Sequence, residues 1–455
     1  MNTLIILCTL GLLGLLSEIF GFKKILLPLV FIGLSVALIF SILDWNSNRS
    51  YFNDMVVFDN YALAFSSLMI FISIVWFIIS PSFLHEPSSA TDHFSLIIFA
   101  LTGGVLMSSF NNMIMLFLGI EILSISMYIL AGSNKSSLSS NEAALKYFLM
   151  GAFATCFLLF GITLIYGQTS SFNLNGIAKS LSQNNGSHSM IYAGIFMVMI
   201  AMSFKISAAP FHLWAPDVYQ GSPTVITAFM STVVKTAAFA AFLRLFMTSF
   251  SGVESIWSTS LWIICAATIL IGNITAVFQT NFKRMLAYSS IAHAGYMLLS
   301  VLAMNKMSAN ALLFYSVAYS VSSITSFAIL LVVSRKTGTE TIETFYGLGR
   351  RNPLLAAVII FAMLSLAGIP PTAGFFAKYY IFSAAIQNNL NGLVLIAVLG
   401  SLIGVFYYFR IIIALFRDNE SQKIDLNFGY KTVLLLTTII ALVLGILPGI
   451  VAGLL

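Results

Sequence analysis

The stretch from Leu364 to Lys378, LSLAGIPPTAGFFAK, interrupts an apolar segment that is long enough to cross a membrane. Two prolines and two glycines break its helical pattern: Pro370, Pro371, Gly368 and Gly374. Proline removes an intrahelical hydrogen bond and clashes with the preceding turn, and glycine loosens the turn further. Broken backbone at membrane depth is tolerated where it is buried in protein or lines a hydrated cavity. The stretch therefore predicts a discontinuous transmembrane helix with a lysine beside its break.

A second break of the same kind is predicted at SAAPFHLWAP, residues 207–216, which contains Pro210 and Pro216. Lys205 lies just before this break, as Lys378 lies just after the other one. Each lysine is within about one or two helical turns of its break. A packing kink is the alternative interpretation, but a kink alone does not explain a lysine at each break. We interpret both breaks as functional.

The composition indicates an integral membrane protein. The chain is 59% hydrophobic and 8% charged, with a mean hydropathy of +0.98, whereas soluble domains carry roughly 25% charged residues. A span needs about 20 apolar residues, and the apolar segments predict an all-α protein with about fourteen transmembrane helices. The predicted spans are 3–20, 25–43, 58–80, 93–109, 112–131, 143–166, 189–209, 223–247, 259–280, 285–303, 309–333, 354–384, 391–415 and 430–450.

Basic side chains at the ends of the spans are divided unevenly between the two sides of the membrane. The connections from odd to even spans, with the adjoining end of span 13, hold Lys23, Lys24, Lys135, Lys283, Arg284, Arg335, Lys336, Arg350, Arg351, Arg410, Arg417, Lys423 and Lys431. The opposite side holds Arg49, Lys179, Arg244 and Lys306. The positive-inside rule then places both termini outside the cytoplasm. The net charge of +6 is thus a topology signal rather than a nucleic-acid one.

Ligands for a cofactor are sparse. Cys8, Cys156 and Cys265 lie singly in apolar segments, so they cannot supply a four-cysteine iron–sulfur or zinc site. The histidines show no pairing at matched depth on neighbouring helices, which two-histidine haem ligation would need. Neither a GxGxxG nor a Walker motif for a nucleotide is present. We expect no redox cofactor, nucleotide or metal on this chain. Span 1 carries Glu18 and lacks a basic leader and a small-residue cleavage site, so we expect it to be retained.

An internal repeat is visible when the chain is shifted by 168 residues, which aligns three predicted spans without gaps. Gly104 then falls on Gly272, and EAALKY at 142–147 falls on NALLFY at 310–315. The shift moves span 4 onto span 9, so an odd number of helices separates two units of opposite orientation, as in many secondary transporters. Chance similarity between apolar helices is the alternative. The predicted parts are spans 1–3 in 1–92, repeats in 93–258 and 259–416, and span 14 in 417–455.

Five charged side chains lie within predicted spans: Glu121, Lys146, Lys205, Lys235 and Lys378. Charges at membrane depth are expected to face the interior of a bundle and to mark ion or proton paths. A lysine amine loses its proton more readily when it is desolvated and keeps it beside a carboxylate. We therefore predict proton transfer, with Glu121 paired to Lys205. Lys146 follows Glu142 by one turn near a helix end, where snorkelling to the headgroups is the alternative.

Two histidines are further candidates for proton transfer. His212 lies in the break at 207–216, and His293 lies in span 10. Histidine is a good proton relay near neutral pH, although a lone histidine in an apolar setting is often a satisfied core residue. We interpret the other three as loop or helix-end residues without a function: His85, His93 and His188.

The longest motifs resemble those of a known family. They are FKISAAPFHLWAPDVYQGSPTVITAF (204–229), MSTVVKTAA (230–238), NFKRMLAYSSIAHAGYM (281–297), YGLGRRNP (346–353) and the stretch at 364–378. From about residue 58 to 415, the chain is similar to the antiporter-like proton-translocating subunits of respiratory complex I. The resemblance implies fourteen helices with two inverted five-helix repeats, spans 4–8 and 9–13, each containing a broken helix.

The resemblance also implies roles for single residues. Glu121 and Lys205 would form the glutamate–lysine pair of the family, Lys235 and His212 would lie on a central relay, and Lys378 would be the exit-side lysine. Lys146 matches a lysine that one member of the family carries in helix 6. Lysines at 235 and 378, and the lack of a long lateral helix after span 14, favour that same member over its paralogues.

By the same resemblance, the expected activity is proton translocation across a bacterial inner membrane, driven by quinone reduction elsewhere in complex I. NADH, FMN, iron–sulfur clusters and quinone would bind to other subunits. The expected neighbours in the lipid bilayer are the antiporter-like subunit M and the small subunit K, with no nucleic acid. Two alternatives stay open. One is a subunit of a multi-subunit cation/proton antiporter, and the other is a membrane scaffold whose buried charges only fix helix register.

Overall fold

The computed structural model describes residues 1–21, 23–84, 90–183, 189–418 and 423–455. Over these ranges, twelve helices are long and apolar enough to cross a membrane. Two shorter apolar helices, Ser189–Lys205 and Pro353–Ala367, each end at one of the predicted breaks. The predicted all-α membrane fold is confirmed.

Helices dominate the first half of the described chain. They are α1 (Asn2–Ile19), α2 (Lys23–Leu43), α3 (Asn60–Ile79), α4 (Pro81–Leu84), α5 (Ala90–Ser109), α6 (Met113–Ala131), α7 (Leu138–Thr169), α8 (Leu174–Gln183), α9 (Ser189–Lys205), α10 (Trp214–Gly221), α11 (Thr224–Phe229) and α12 (Lys235–Ser249). A π-helical turn, Met230–Val234, joins α11 to α12. Strands β1 (Arg49–Tyr51) and β2 (Val56–Phe58) form an antiparallel hairpin between α2 and α3, which the all-α prediction treated as a loop.

The second half continues in the same way. Its helices are α13 (Glu254–Val277), α14 (Phe282–Ala303), α15 (Ser308–Thr337), α16 (Leu348–Arg351), α17 (Pro353–Ala367), α18 (Ala373–Gln387), α19 (Asn391–Ala414) and α20 (Phe428–Ile446). Helices α17 and α18 are the two parts of the predicted span 354–384, separated where Gly368 adopts a positive φ of 83°. The predicted and observed helix boundaries agree to within a few residues.

Side-chain caps fix where several of these helices begin. The carboxylate of Asp59 accepts a hydrogen bond of 2.8 Å from the Ala62 N–H at the start of α3. The Asn281 amide oxygen accepts one of 2.9 Å from the Arg284 N–H at the start of α14. Such caps satisfy N–H groups that have no acceptor within the first helical turn. The caps are polar residues between apolar runs, so the sequence predicts these boundaries well.

The chain divides into two compact units. Unit 1 comprises Met1–Ile206 and Val233–Leu261, and unit 2 comprises Ser207–Thr232 and Trp262–Leu455. The boundaries of the units differ from those predicted for the inverted repeats. The division of the chain into repeats therefore stays a prediction.

Each unit has one helix at its centre. In unit 1, α5 packs against α1, α3, α6 and α12, while α7 packs mainly against α9. In unit 2, α15 packs against α11, α14, α17, α18 and α20. Buried candidate residues lie on helices that pack around these two, with Lys235 on α12 beside α5 and with His293 on α14 and Lys378 on α18 beside α15.

Lys283 differs from its predicted place on the surface. Its residue is only 2% exposed in unit 2. Its ammonium donates to the Ser222 carbonyl at 2.6 Å and lies 3.4 Å from a Glu340 carboxylate oxygen. The same oxygen accepts a 2.7 Å hydrogen bond from the Thr224 hydroxyl. The sequence assigned Lys283 to a surface connection and could not predict its burial, because its partners Ser222 and Glu340 come from two distant segments.

A glycine permits the close approach of α17 and α18 around their break. A Cβ atom added to Gly374 would lie 1.7 Å from the carbonyl oxygen of Ser365, which is backbone and cannot swing away. Gly374 is the second residue of α18 rather than part of the gap. The sequence predicted Gly374 as part of the break, and the structure gives it a role in close packing.

We expect Gly374→Ala to lower the free energy of unfolding by about 1–3 kcal/mol, the usual cost of overpacking a rigid site. Gly392→Ala is the matched control, because Gly392 is also the second residue of its helix and a Cβ atom added there would meet nothing within 4 Å. Thermal unfolding of the purified protein in detergent should show a lower midpoint for the first variant only. Equal midpoints would contradict the close contact.

Candidate functional site

Lys205 ends α9 immediately before the first break, and its side chain points into unit 1. The residue is 7% exposed. Its Nζ donates a 2.6 Å hydrogen bond to the hydroxyl of Ser124 on α6. That hydroxyl in turn donates to the carbonyl oxygen of Ile120, one turn earlier on the same helix. Lys205 is therefore held by a neutral hydroxyl that α6 supplies.

Glu121 does not form the tight ion pair with Lys205 that the sequence predicted. Its carboxylate accepts a 2.7 Å hydrogen bond from the Thr155 hydroxyl on α7, while the Lys205 ammonium donates to Ser124. Glu121 is half-buried rather than enclosed. Glu121 and Ser124 are three residues apart and lie on one face of α6, so the two hydrogen bonds are formed side by side on that face.

A small cavity lies between these two hydrogen-bonded groups. It is lined by Lys205, Ser124, Thr155 and Tyr128 and has a volume of about 20 Å³. A cavity of about 10–15 Å³ with polar partners is enough for one water molecule. The hydroxyl of Thr155, which holds Glu121, and the ammonium of Lys205 thus face the same water-sized space.

Lys235 is the first residue of α12 and directly follows the π-helical turn Met230–Val234. It is 3% exposed within unit 1, where α12 packs against α3, α5, α8 and α9. The depth predicted for this lysine is confirmed. The π-helical turn was not predicted, because a run of apolar and small residues is compatible with either helical geometry.

Lys146 lies on the surface of α7 and not in the interior. Its ammonium pairs with the Glu142 carboxylate at 2.7 Å, and its side chain is 41% exposed. The predicted i,i+4 pair is therefore present. Residues 142 and 146 share the outward stripe of α7 in this chain, and a role of Lys146 in proton transfer stays a prediction.

The histidines differ in their surroundings. His212 lies between α9 and α10 and is buried in unit 2, where its Nδ1 has no hydrogen-bond partner among the described residues. His93 lies in the first turn of α5, as expected for a helix-end residue, but it is buried and stacks on Phe83 with ring centroids 4.5 Å apart. His85 and His188 lie outside the described residues.

Lys378 lies in α18, just after the second break, and is 7% exposed within unit 2. Its Nζ donates to the carbonyl oxygen of Ala367 at 2.6 Å and to the hydroxyl of Ser401 at 2.6 Å. It also lies 5.2 Å from the centroid of the Tyr296 ring. Ala367 is the last residue of α17, so the interrupted helix supplies one of the two acceptors.

The other predicted break residues have separate places. Gly368 caps α17, and a Cβ atom there would lie 2.7 Å from Cδ of Lys378, so the missing side chain makes room for the lysine stem. Pro370 and Pro371 lie in the gap, as Pro210 does in the first break. Pro216 lies in the first turn of α10, where proline is tolerated.

His293 lies at the centre of a chain of hydroxyl groups in unit 2. Its Nδ1 is 2.6 Å from the Tyr315 hydroxyl, and its Nε2 is 3.0 Å from the Tyr408 hydroxyl. The Tyr408 hydroxyl is also hydrogen-bonded to that of Ser289. Both imidazole nitrogens are therefore hydrogen-bonded, which is the arrangement that lets a ring take a proton at one nitrogen and release one from the other.

His293 and Lys378 line the same cavity. Its volume is about 10 Å³, and Tyr315, Tyr319 and Ser365 complete its polar lining. The space is close to the smallest that holds one water molecule. The structure thus brings together two candidates that lie 85 residues apart in the sequence, on helices α14 and α18.

The sequence missed the hydroxyl groups that hydrogen-bond to the candidate residues or to their direct partners. They are Ser124, Thr155, Ser289, Tyr315, Ser401 and Tyr408. A weak signal was present, because a tyrosine or serine at membrane depth needs a hydrogen-bond partner. Such residues are common in this chain, so position alone could not show which of them meet a lysine or a histidine.

No group of three or more histidine, cysteine, aspartate or glutamate side chains able to hold a metal ion occurs in the part of the chain that the structure describes. The expectation that this chain carries no cofactor stays an expectation.

Comparison with known proteins assigns the chain to a family. Residues 110–404 match the family model described as NADH:quinone oxidoreductase/Mrp antiporter, TM. NADH-quinone oxidoreductase subunit N of Cytophaga hutchinsonii is 43% identical over 454 residues, which cover 99% of this chain and 98% of that protein.

Solved structures agree with this assignment. A chain of respiratory complex I from Thermus thermophilus with bound aureothin superposes with a TM-score of 0.85 at 32% identity, covering 99% of this chain and 98% of that one. A chain of the Mrp complex from Dietzia sp. has a TM-score of 0.89 at 19% identity, covering 99% and 95%. The second likeness shows the fold alone.

We expect Ser124→Ala to lower the free energy of unfolding by about 1–3 kcal/mol, because it strands a buried, charged donor. Ser126→Ala is the control, since Ser126 lies on the same helix and makes the same kind of bond to a carbonyl four residues earlier. Adding Lys205→Met to Ser124→Ala should restore part of the loss in a double-mutant cycle of thermal unfolding. If the losses in unfolding free energy caused by the two substitutions simply add, the contact between Lys205 and Ser124 contributes nothing to stability.

Proposed function

Because the chain belongs to the NADH:quinone oxidoreductase/Mrp antiporter transmembrane family, we propose that it translocates protons as subunit N of an NADH–quinone oxidoreductase. The full-length similarity to a protein of that name supports the assignment. In this proposal, NADH, FMN, iron–sulfur clusters and quinone bind to other subunits, and this chain contributes proton transfer alone. The driving force is quinone reduction elsewhere in the complex.

The hydrogen bonding of Lys378 carries the proposal. An ammonium group has three N–H donors, and two acceptors are paired with it: the Ala367 carbonyl and the Ser401 hydroxyl. A neutral amine keeps two N–H donors and can satisfy both acceptors. Loss of one proton from Lys378 therefore breaks neither bond, so the side chain can load and unload without rearranging its site.

Lys205 is also held by a neutral acceptor. Its hydrogen bond to Ser124 can be made by either protonation state. Glu121 lies on the same helix and reaches the same cavity through the Thr155 hydroxyl. We propose that a water molecule in this cavity links the two, so that Glu121 favours the charged form of Lys205 when the link is closed and releases it when the link opens.

His293 and its two tyrosines form the corresponding relay in unit 2. A proton that reaches Nε2 through the Tyr408 hydroxyl makes an imidazolium, and release of the Nδ1 proton to Tyr315 returns the neutral ring in its other tautomer. Rotation of the two hydroxyls resets the direction. Lys378 adjoins this relay through their shared cavity.

We propose that the family path runs through these groups in the order Glu121, Lys205, Lys235, His212, His293 and Lys378. Lys146, paired with Glu142 on the surface of α7, is a further proposed member at the edge of the chain. The chain would lie in a bacterial inner membrane, with both termini on the periplasmic side. Subunits M and K are the proposed neighbours. The half-buried carboxylate of Glu121 lies at the surface of the chain, where a neighbouring subunit can influence it.

We expect Lys235→Met to leave assembly of the complex intact and to lower both proton pumping and coupled quinone reductase activity by about a hundredfold, the lower end of what a positioned proton-transfer group contributes. Methionine keeps the apolar stem and removes the titratable amine. Lys431→Met, an exposed lysine on α20, is the control. Assembly is read on native gels, and turnover and pumping are read in vesicles.

A scaffold function predicts normal turnover in assembled Lys235→Met, and that result would reject the relay. A cation/proton antiporter function predicts pumping that changes with sodium concentration in the wild-type chain. The two outcomes are distinguishable, because the first concerns one residue and the second concerns the transported ion.

We expect Tyr408→Phe to reduce pumping and turnover severalfold without loss of assembly, because the variant keeps the ring and removes the hydroxyl shared by Ser289 and His293. Tyr288→Phe is the matched control, since Tyr288 lies on α14 against Arg284 and not against His293. Full pumping by assembled Tyr408→Phe would remove this hydroxyl from the relay.

A further inference from the structure

A cavity in unit 2 takes no part in the proton path. Its volume is about 430 Å³, within the size range of small-molecule sites. Its polar lining consists of Arg410, Arg417, Tyr346, Glu343, Thr280 and Thr341. Four of these residues lie in the connections from α13 to α14 and from α15 to α16, and the two arginines lie at the end of α19 and just beyond it. These segments belong to the side where the basic residues of the chain gather.

The two arginines are held in place by neighbouring groups. Arg410 donates to the carbonyl oxygens of Val277, at 2.8 Å, and Gln279, at the end of α13. Its Nε–H is buried without a hydrogen-bond partner among the described residues. Arg417 donates a 2.9 Å hydrogen bond to the Tyr346 hydroxyl and lies 5.2 Å from the centroid of that ring.

The chemistry of the lining fits a group that carries both charges. Guanidinium groups are suited to phosphate, which they bind through parallel N–H donors. The Glu343 carboxylate on the same lining opposes a purely anionic ligand. It is suited to an ammonium group that can donate hydrogen bonds. Two guanidiniums with one carboxylate therefore match a phosphate joined to a primary amine.

Apolar side chains are exposed close to the lining residues in the chain. Phe406, Phe409 and Ile413 are exposed on α19, Phe416 is exposed just beyond it, and Phe278 is exposed near Thr280. Arg410 and Ala414 are four residues apart on α19, and each directly follows an exposed apolar residue, Phe409 or Ile413, so polar and apolar surfaces adjoin on this helix. A ligand with acyl chains would cover both surfaces. Basic pockets between helices at a membrane surface commonly bind lipid headgroups.

We propose that this cavity binds the phosphoethanolamine headgroup of a membrane phospholipid. The phosphate is bound by Arg410 and Arg417, the ammonium by Glu343, and the acyl chains lie along the exposed aromatic and aliphatic side chains of α19. The proposal is independent of the proton path and would stand if that path were wrong.

The test uses the purified complex that contains this chain, reconstituted in phosphatidylcholine nanodiscs. Each sample carries a trace of lipid with a photoactivatable acyl chain, as either phosphatidylethanolamine or phosphatidylglycerol. Cross-linked peptides are mapped by mass spectrometry. The ethanolamine lipid should label peptides of α19 and the segment at Phe278, and the glycerol lipid should label them much less.

Two variants separate the two charges. Arg417→Gln should reduce labelling by both lipids about tenfold, the effect of one charge-assisted hydrogen bond. Glu343→Gln should reduce labelling by the ethanolamine lipid and leave or raise that by the glycerol lipid. Arg350→Gln is the control, because this exposed arginine pairs with Asp418 and does not line the cavity.

Three results would overturn the proposal. Equal labelling by both lipids in the wild-type complex would remove the role of Glu343. Binding of inorganic phosphate in the cavity, with no labelling of α19 or of the segment at Phe278 by either lipid, would show that the cavity is a site for free phosphate. Labelling confined to a neighbouring subunit would show that protein, not lipid, covers this surface.

Discussion

A buried amine needs oxygen acceptors in place of water, and the break between α17 and α18 supplies one of them. At Lys378, the end of α17 leaves the carbonyl of Ala367 without an intrahelical donor, and the lysine uses it. A carbonyl inside an intact helix already accepts a hydrogen bond from its own helix, whereas the carbonyls of the last turn have no intrahelical donor. The break and the lysine therefore stabilise each other. Without the lysine, the Ala367 carbonyl would lose a charged donor in a site that excludes water.

The two halves of the chain meet this requirement with different chemistry. The shift of 168 residues that aligns the halves places Ser289 at the position of Glu121. In unit 1, the hydroxyl of Thr155 lines the cavity beside Lys205 and is hydrogen-bonded to the Glu121 carboxylate. In unit 2, the corresponding position is a hydroxyl that joins Tyr408 and His293. One half thus relies on charge and the other on a chain of neutral groups, so the buried lysines of the two units respond to different perturbations.

Hydrophobic runs and turn-forming residues act locally, which explains why the spans, the two breaks and the depth of the three buried candidate lysines were predicted. Contacts between distant segments were not. Lys283 is buried because Glu340 and Ser222 reach it from elsewhere. Lys146 is exposed because of the direction in which its helix face points, and that direction depends on how α7 packs. The direct hydrogen bond of Glu121 to Thr155 on α7 was not predicted for the same reason. The composition of a span determines that it is buried in a membrane, but not which of its faces meets protein.

The neutral acceptors around Lys378 also bear on what can be seen of its proton. Since the amine and the ammonium satisfy the same two oxygens, the heavy atoms occupy the same positions in both forms. Density maps of resting and working enzyme would then superpose at this residue, and their agreement would say nothing about whether a charge had passed. The difference resides in a single hydrogen nucleus. Neutron scattering and isotope-edited infrared spectra are sensitive to it, whereas X-ray and electron maps at ordinary resolution are not.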